Sequence, residues 1–314
     1  MQTQNNDCKI NASLNISGIL NIQCADTIPA HAYEGNGAIC KAIVCDCVTH
    51  VCGYAFAECR KLTDIKFGKS LNSIDEHAFY NCRLLTSITV PATLENIEDG
   101  AFKNCDSLYY INISGMGNGS QNVRNILADI EQETEITFMY NEDSRVSKLV
   151  IPSYHKAYTA NEPARNFHEE DYGTGTYYRI CLKPDFIDYE MYDSFFEHAV
   201  IENTPETVIR ILRDRLVFPY ALNEKHRDIY LNYIKDNKER IFNFIISNKD
   251  SAFLKYLVSD KVTVKDWPSF TKMAVADAQI TGKADFVSAS ADIIHRYAVS
   301  DNTDNGDNPD LFEI

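Results

Sequence analysis

The chain has 314 residues, 45% of them hydrophobic and 24% charged. That is enough for two domains with cores of their own, and it excludes general disorder or a collagen-like fibre. With 45 acidic against 30 basic side chains the formal charge is -15, which repels polyanions and argues against nucleic acid as a partner; no stretch reaches the roughly 18 to 20 apolar residues of a membrane-spanning helix.

Residues 1–27 read as an N-terminal cap. The opening Met1-Gln2-Thr3-Gln4-Asn5-Asn6-Asp7 has neither the basic start nor the apolar stretch of a secretion signal. The expectation is a cytoplasmic protein, with a secreted or surface protein lacking its leader as the alternative. The 10 cysteines lie mostly among apolar neighbours, so reduced core thiols are expected rather than a disulfide framework.

From residue 28 to 114 the sequence repeats every 23 residues. The columns are Ala55-Phe56, Ala78-Phe79 and Ala101-Phe102; Cys59, Cys82 and Cys105; Leu62, Leu85 and Leu108; Ile65, Ile88 and Ile111. Further columns are Phe67, Val90 and Ile113; Leu71 and Leu94; Val51, Ile74 and Ile97. A weaker coil precedes them in Ile28, Ala32-Tyr33, Ile39, Val44 and Val48, with Asn36 in the cysteine slot. Stretches such as Ile65-Lys66-Phe67 alternate apolar and polar, predicting one short strand per coil with one face inward. A 23-residue unit cannot bury its columns alone, so the prediction is a solenoid of about four stacked coils. The run Ile74-Asp75-Glu76-His77-Ala78-Phe79-Tyr80-Asn81-Cys82, closing on Ile88-Thr89-Val90-Pro91, resembles the BspA-type leucine-rich repeats of bacterial and protozoan proteins. The resemblance implies a right-handed leucine-rich solenoid used for protein or surface recognition, without chemistry of its own.

After Ser114 the columns fail. Gly115-Met116-Gly117-Asn118-Gly119-Ser120 reads as a connector leading to a helical pattern in Val123, Ile126, Leu127 and Ile130. Strand-like Ile136-Thr137-Phe138-Met139-Tyr140 and Leu149-Val150-Ile151-Pro152 then extend residues 115–188 as the connector and irregular C-terminal cap of the solenoid. Residues 189–298 carry the helical period. Phe195, Phe196, Ala199 and Val200 are expected to share a face, and Thr204-Pro205 to start a helix with Val208, Ile211 and Leu212 inward. Apolar stripes follow at Ile229, Tyr230, Tyr233 and Ile234, at Ile241, Phe242 and Ile245, and at Phe253, Leu254, Leu257 and Val258. A last pair around Gly282 faintly resembles an ankyrin-like hairpin. Residues 299–314 read as an acidic flexible tail. The fold class expected is α+β in two domains: a leucine-rich-repeat solenoid with its cap, then an all-α domain of helical hairpins.

Several patterns suggest chemistry and are better explained without it. Cys59, Cys82 and Cys105 form a ladder at one inward slot, where cysteine acts as a small hydrophobe. Cys40, Cys45, Cys47 and Cys52 offer four thiols within 13 residues, yet lack the C-x2-C pairs of zinc ribbons; Cys45 and Cys47 are read as lying on one strand face. Gly115-x-Gly117-x-Gly119 lacks the dinucleotide spacing, His168-Glu169-Glu170-Asp171 reads as a charged surface turn, and Asp301 to Asp310 approaches a calcium loop without its last ligands. No catalytic residue, metal or cofactor is therefore expected. The positive expectation is a surface made by the outward slots of the repeat strands: Lys41 and Ile43, Asp64 and Lys66, Ser87 and Thr89, Tyr110 and Asn112. Their mixed polarity suits a protein partner. The expected function is a non-enzymatic interaction or scaffold module; the alternatives are an adhesin or host-binding protein and an enzyme with scattered residues in the helical half.

Overall fold

The computed structural model describes residues 11–116, 123–140, 145–161, 166–184, 186–259, 266–282 and 284–298. Most of Gly115 to Ser120, the start of the N-terminal cap and the whole acidic tail, with its calcium-like loop, lie outside the described residues. Two units emerge, Met1–Asn203 and Thr204–Ile314.

The first unit begins with β1 (Asn11–Leu14), β2 (Ile19–Cys24), β3 (Thr27–Ile28), β4 (Lys41–Val44), β5 (His50–Val51), β6 (Asp64–Lys66), β7 (Ser73–Ile74), β8 (Ser87–Pro91), β9 (Asn96–Ile97) and β10 (Tyr110–Met116). Short α1 (Val123–Ile126) and a 3-10 turn follow, then β11 (Thr134–Tyr140), β12 (Val146–Ile151), β13 (His155–Asn161) and β14 (Asn166–Tyr172). The unit closes with α2 (Gly175–Ile180), α3 (Tyr189–Ser194) and α4 (Phe196–Glu202). The four coils that begin with β2, β4, β6 and β8 each contribute one strand to each of two sheets. The larger runs β1-β2-β4-β6-β8-β10-β11-β12, the smaller β3-β5-β7-β9. From β2 to β11 all pairings in the large sheet are parallel, while β1 and β12 join its two edges antiparallel.

The repeat columns become continuous internal ladders. Phe56, Phe79 and Phe102 are fully buried, and their rings stack with centroids 5.3 Å apart, Tyr33 extending the stack at 5.1 Å. Parallel rings at that spacing add to the transfer free energy of burial. Backbone bonds run with them: the N–H groups of Tyr33, Phe56 and Phe79 donate to the carbonyls of Ala55, Ala78 and Ala101 in the next coil. The weak first coil is partly outside this core, with Ile28, Ile39, Val44 and Val48 buried and Ala32 exposed.

Each coil turns twice through left-handed backbone, in two columns that the apolar pattern does not mark. One is His31, Tyr54, His77 and Gly100; the other is Gly35, Glu58, Asn81 and Asn104. Such conformations cost non-glycine residues roughly 1–2 kcal/mol, offset here by lateral contacts. His31, Tyr54 and His77 stack ring on ring at 5.2 Å. Asn104 donates to Asn81 Oδ1 at 2.8 Å, and Asn81 donates to Glu58 Oε1. That bond, with Arg60 at 2.9 Å, holds the Glu58 carboxyl below its ordinary pKa. Gly100 is doubly required: its φ is +68, and a Cβ there would lie 2.9 Å from His77 Nε2.

The solenoid does not end at Ser114. β11 continues the parallel sheet, with Ile111 opposite Ile136 and Ile113 opposite Phe138, so the structure has about five turns where the columns suggest about four. Side chains finish the ladders where the following coil departs from the repeat. Asp129 Oδ2 accepts the Phe102 N–H at 3.2 Å, in place of the next carbonyl, and Gln132 Nε2 donates to the carbonyls of Cys105 and Leu108 at 3.0 and 3.1 Å. On the edge strand β12, Tyr192 Oη accepts the Val150 N–H and donates to the Val150 carbonyl, at 3.0 and 2.7 Å. Tyr189 Oη bonds Ser147 Oγ at 2.8 Å. An unpaired edge is a template for unwanted strand pairing, and this is how it is blunted. These bonds hold α3 to the first unit, and Asn203 after α4 donates to Thr174 Oγ1 at 2.7 Å; the boundary between the units falls at 203/204. Val200 faces out, 39% exposed, while Phe196 and Ala199 are buried; α4 has only a narrow apolar stripe. His168 to Asp171 belongs to strand β14, not to a turn.

The second unit contains α5 (Pro205–Val217), α6 (Glu224–Asp236), α7 (Lys238–Asn248), α8 (Ser251–Ser259), α9 (Trp267–Thr281) and α10 (Asp285–Ala298). Thr204 caps α5 by accepting the Thr207 N–H, with Pro205 in the first turn, as the sequence predicts. Val208, Ile211, Leu212, Tyr230, Ile234, Ile241, Phe242, Ile245, Phe253, Leu254 and Leu257 are buried. Arg213 clamps α5 to the start of α8, reaching Asp250 with Nε at 2.7 Å and Nη2 at 3.1 Å, while Asp250 Oδ1 also accepts the Phe253 N–H. α9 and α10 flank Gly282, which ends α9 at φ +69.

Candidate interaction surface

Alternation in the parallel strands turns the unburied slots outward in register. One row reads Ile19, Lys41, Asp64, Ser87, Tyr110 and Glu135; the next reads Asn21, Ile43, Lys66, Thr89, Asn112 and Thr137. The structure brings the outward residues expected from the sequence onto one sheet face. It adds Ile19 and Asn21, one step of 22 residues before Lys41 and Ile43, and Glu135 and Thr137, one step of 25 residues after Tyr110 and Asn112, so the 23-residue period hides all four. The alternation in Ile136-Thr137-Phe138 is the signal that marks Glu135 and Thr137. All are exposed or half-buried; of the three apolar ones Ile19 is half-buried, while Ile43 and Tyr110 are 49% and 47% exposed. Lys148 on β12 pairs with Glu135 at 2.5 Å. The charges on this face are three cations, Lys41, Lys66 and Lys148, against Asp64 and Glu135, so it is not acidic although the chain is.

The inward cysteines are inert. Cys59, Cys82 and Cys105 donate their S–H groups to the carbonyls of Tyr33, Phe56 and Phe79 in the preceding coil, at 3.1, 3.0 and 3.2 Å. Burial pushes the Cys59 thiol up to about 11 and Cys105 to about 12, and raises Cys82 further. The reactive thiolate is thus absent at neutral pH. Cysteine fits this slot as a small apolar group with one donor for one carbonyl.

Expectations for the other thiols need correction. Cys45 and Cys47 follow β4 in a turn instead of sharing a strand face, and they are joined by a disulfide. Two residues apart in a turn, their Cα atoms stand at 5.4 Å, within disulfide range. The turn is packed tightly from the next coil, where a Cβ on Gly68 would lie 2.5 Å from the Cys45 carbonyl oxygen. Cys40, Cys45, Cys47 and Cys52 do not converge as a four-thiol site. Cys52 instead lies beside His50 and Asp75, with His50 Nε2 at 2.7 Å from Asp75 Oδ1. Burial first, then the Asp75 charge, raises the Cys52 thiol, opposed by a backbone hydrogen bond at Ala30.

One cavity of about 510 Å³ lies among Arg124, Leu127, Tyr154, Lys156, Arg179 and Ile180. One of its cations is engaged structurally: Arg179 Nη2 donates to the Ile130 carbonyl at 2.5 Å, and its guanidinium lies 3.8 Å over the Tyr154 ring. Among the described residues no helix is long and apolar enough to cross a membrane.

No curated protein matches the chain. Among solved structures, a leucine-rich repeat protein from Bacteroides ovatus is 21% identical, the match covering 36% of this chain and 28% of that one, with a TM-score of 0.32. One from Bacteroides capillosus is 25% identical, covering 33% and 93%, TM-score 0.26. The leucine-rich repeat protein of T. pallidum is 19% identical, covering 33% and 68%, TM-score 0.26. The chain thus spans little more than a quarter of the B. ovatus protein. The family described as BspA type leucine-rich repeat region matches residues 26–143 in six copies. Period, stacked rungs and matched copies describe one object: residues 26–143 match a BspA-type leucine-rich repeat region.

Proposed function

We propose that the outward face of the large sheet is a docking surface for another protein, and that the chain acts as a non-enzymatic interaction or scaffold module. The observation that carries this is the pair of in-register rows through Lys41, Asp64, Ser87 and Tyr110 and through Ile43, Lys66, Thr89 and Asn112. They give an open face with two exposed apolar anchors among mixed charges, the composition of a protein interface rather than of a small-molecule pocket. The raised thiols of the cysteine ladder support the non-catalytic reading, because they remove the most nucleophilic groups from use.

A photo-crosslinking side chain placed at Lys66 or Thr89 should capture one protein species in the native cell extract. Placed at Glu95, beside the small sheet, it should not. Crosslinks confined to Glu95 would move the interface to the other side. A second reading, a secreted or surface adhesin, is favoured by the Cys45–Cys47 disulfide, since such bonds persist in oxidising compartments. Fractionation of the native cell separates the two readings.

A further inference from the structure

We propose that His50, Cys52 and Asp75 form a binding site for a zinc-class divalent transition-metal ion on the small-sheet side of the solenoid. This site is independent of the docking face. The inference rests on donor chemistry and on geometry that the repeat itself creates.

His50 and Cys52 are two residues apart along β5 and its continuation, so the strand alternation turns both side chains to one side. Asp75 follows Cys52 by one period, 23 residues, and is its neighbour in the adjacent coil. The Val51↔Ile74 pairing of β5 and β7 and the Asp75 N–H donated to the Val51 carbonyl at 2.9 Å fix that adjacency. The imidazole nitrogen, the thiol sulfur and a carboxylate oxygen then lie within 4.8 Å of one another. Ligands bound to one zinc at about 2.0–2.3 Å stand at most about twice that distance apart, so small side-chain rotations suffice to close the three around an ion. His50 and Asp75 side chains are 36% and 27% exposed, which leaves an ion a way in.

The donor set selects the ion. Calcium and magnesium require oxygen ligands throughout, whereas a mixed nitrogen, sulfur and oxygen set suits zinc and its borderline neighbours. A neutral imidazole with one thiolate and one carboxylate carries two negative charges, matching a divalent cation. Binding replaces the thiol proton, released to solvent, by a metal–sulfur bond. Three protein ligands leave a fourth position for water or for an incoming donor. In the small sheet the column through His50 otherwise holds Thr27, Ser73 and Asn96, and the column through Cys52 and Asp75 continues to Glu98. The trio is therefore peculiar to the step between these two coils and is not a demand of the repeat.

The test is titration of the full, reduced protein with cobalt(II), reading the thiolate-to-cobalt charge-transfer band, followed by displacement with zinc. One equivalent should produce the band and zinc should abolish it. Cys52→Ser should remove the band, and His50→Gln and Asp75→Asn should each weaken zinc binding at least about 10-fold, as expected for loss of one of three ligands. Cys40→Ser should leave the band unchanged. Thermal melts without metal establish that each variant is folded; zinc should raise the melting temperature of the parent protein and of Cys40→Ser equally, and raise it less for the folded His50, Cys52 and Asp75 variants. No thiolate band with the reduced parent, or a band that survives Cys52→Ser, overturns the proposal.

Discussion

Truncating Phe79 to alanine probes the stacked core directly. The ring is fully buried, parallel to Phe56 and Phe102 with centroids 5.3 Å away on either side, and has Phe67 edge-on at 6.2 Å. Burial of a phenyl side chain contributes about 1.5–3 kcal/mol, and each favourable ring pair adds about 0.5–1.5 kcal/mol. The expected loss is therefore about 3–5 kcal/mol, the usual span for this truncation in a core. Tyr33 ends the column half-buried, stacked on Phe56 alone at 5.1 Å, so Tyr33→Ala should cost about half as much or less. Hydrogen exchange of peptides spanning residues 50 to 110 reads the opening free energy of the solenoid separately from the helical unit. A loss below about 1.5 kcal/mol at Phe79, outside the range for a well-packed phenyl, or equal losses at Phe79 and Tyr33, would refute the coupled column.

Asn81 tests the left-handed columns: Asn81→Gly keeps the φ of 61 while cutting the amide ladder, and should cost about 0.5–1.5 kcal/mol. Asn81→Ala adds about 1 kcal/mol of backbone strain, and calorimetric melts that rank the two equally would contradict that account. In the folded protein at mildly alkaline pH, iodoacetamide should leave Cys59, Cys82, Cys105 and Cys181 unlabelled, because all are buried and burial raises each thiol, to about 12 for Cys181; peptide mass spectrometry showing them labelled without unfolding would count against it. Burial, opposed by the Phe102 N–H, raises the Asp129 carboxyl above its ordinary value. The folded state thus loses stability as pH rises from about 3.9, the unfolded aspartate value, through the folded one. Asp129→Asn keeps the acceptor for Phe102, so it should melt at or above the parent at neutral pH and lose that advantage in acid; a lower melting temperature at neutral pH would show the charge itself is needed.

The apolar columns made the coils, their strands and the inward cysteines legible, because a buried slot accepts few residue types and repeats them. The left-handed columns were not legible, since His31, Tyr54 and Glu58 are poor markers of positive φ and are held there by neighbours one coil away. β11 escaped the period because the loop before it carries its own short helix and lengthens the step. Tyr189 and Tyr192 read as the start of a helical domain, as their helical spacing is visible while their bonds to β12 are tertiary. In the sequence Cys52 groups naturally with three neighbouring cysteines. Folding pairs it with Asp75 across one coil, a partner the 23-residue interval could have disclosed. The helical stripes were legible wherever a wide apolar face is buried, and misleading at Val200, where it is narrow.

If the outward rows of the large sheet meet another protein, quantitative capture from the native cell with the Lys66→Ala, Tyr110→Ala double variant beside the parent chain will show it. Both side chains are exposed on adjacent rows, so capture should fall at least about 10-fold, roughly 1.4 kcal/mol, with an unchanged melting temperature. Undiminished capture by the folded double variant would contradict docking there.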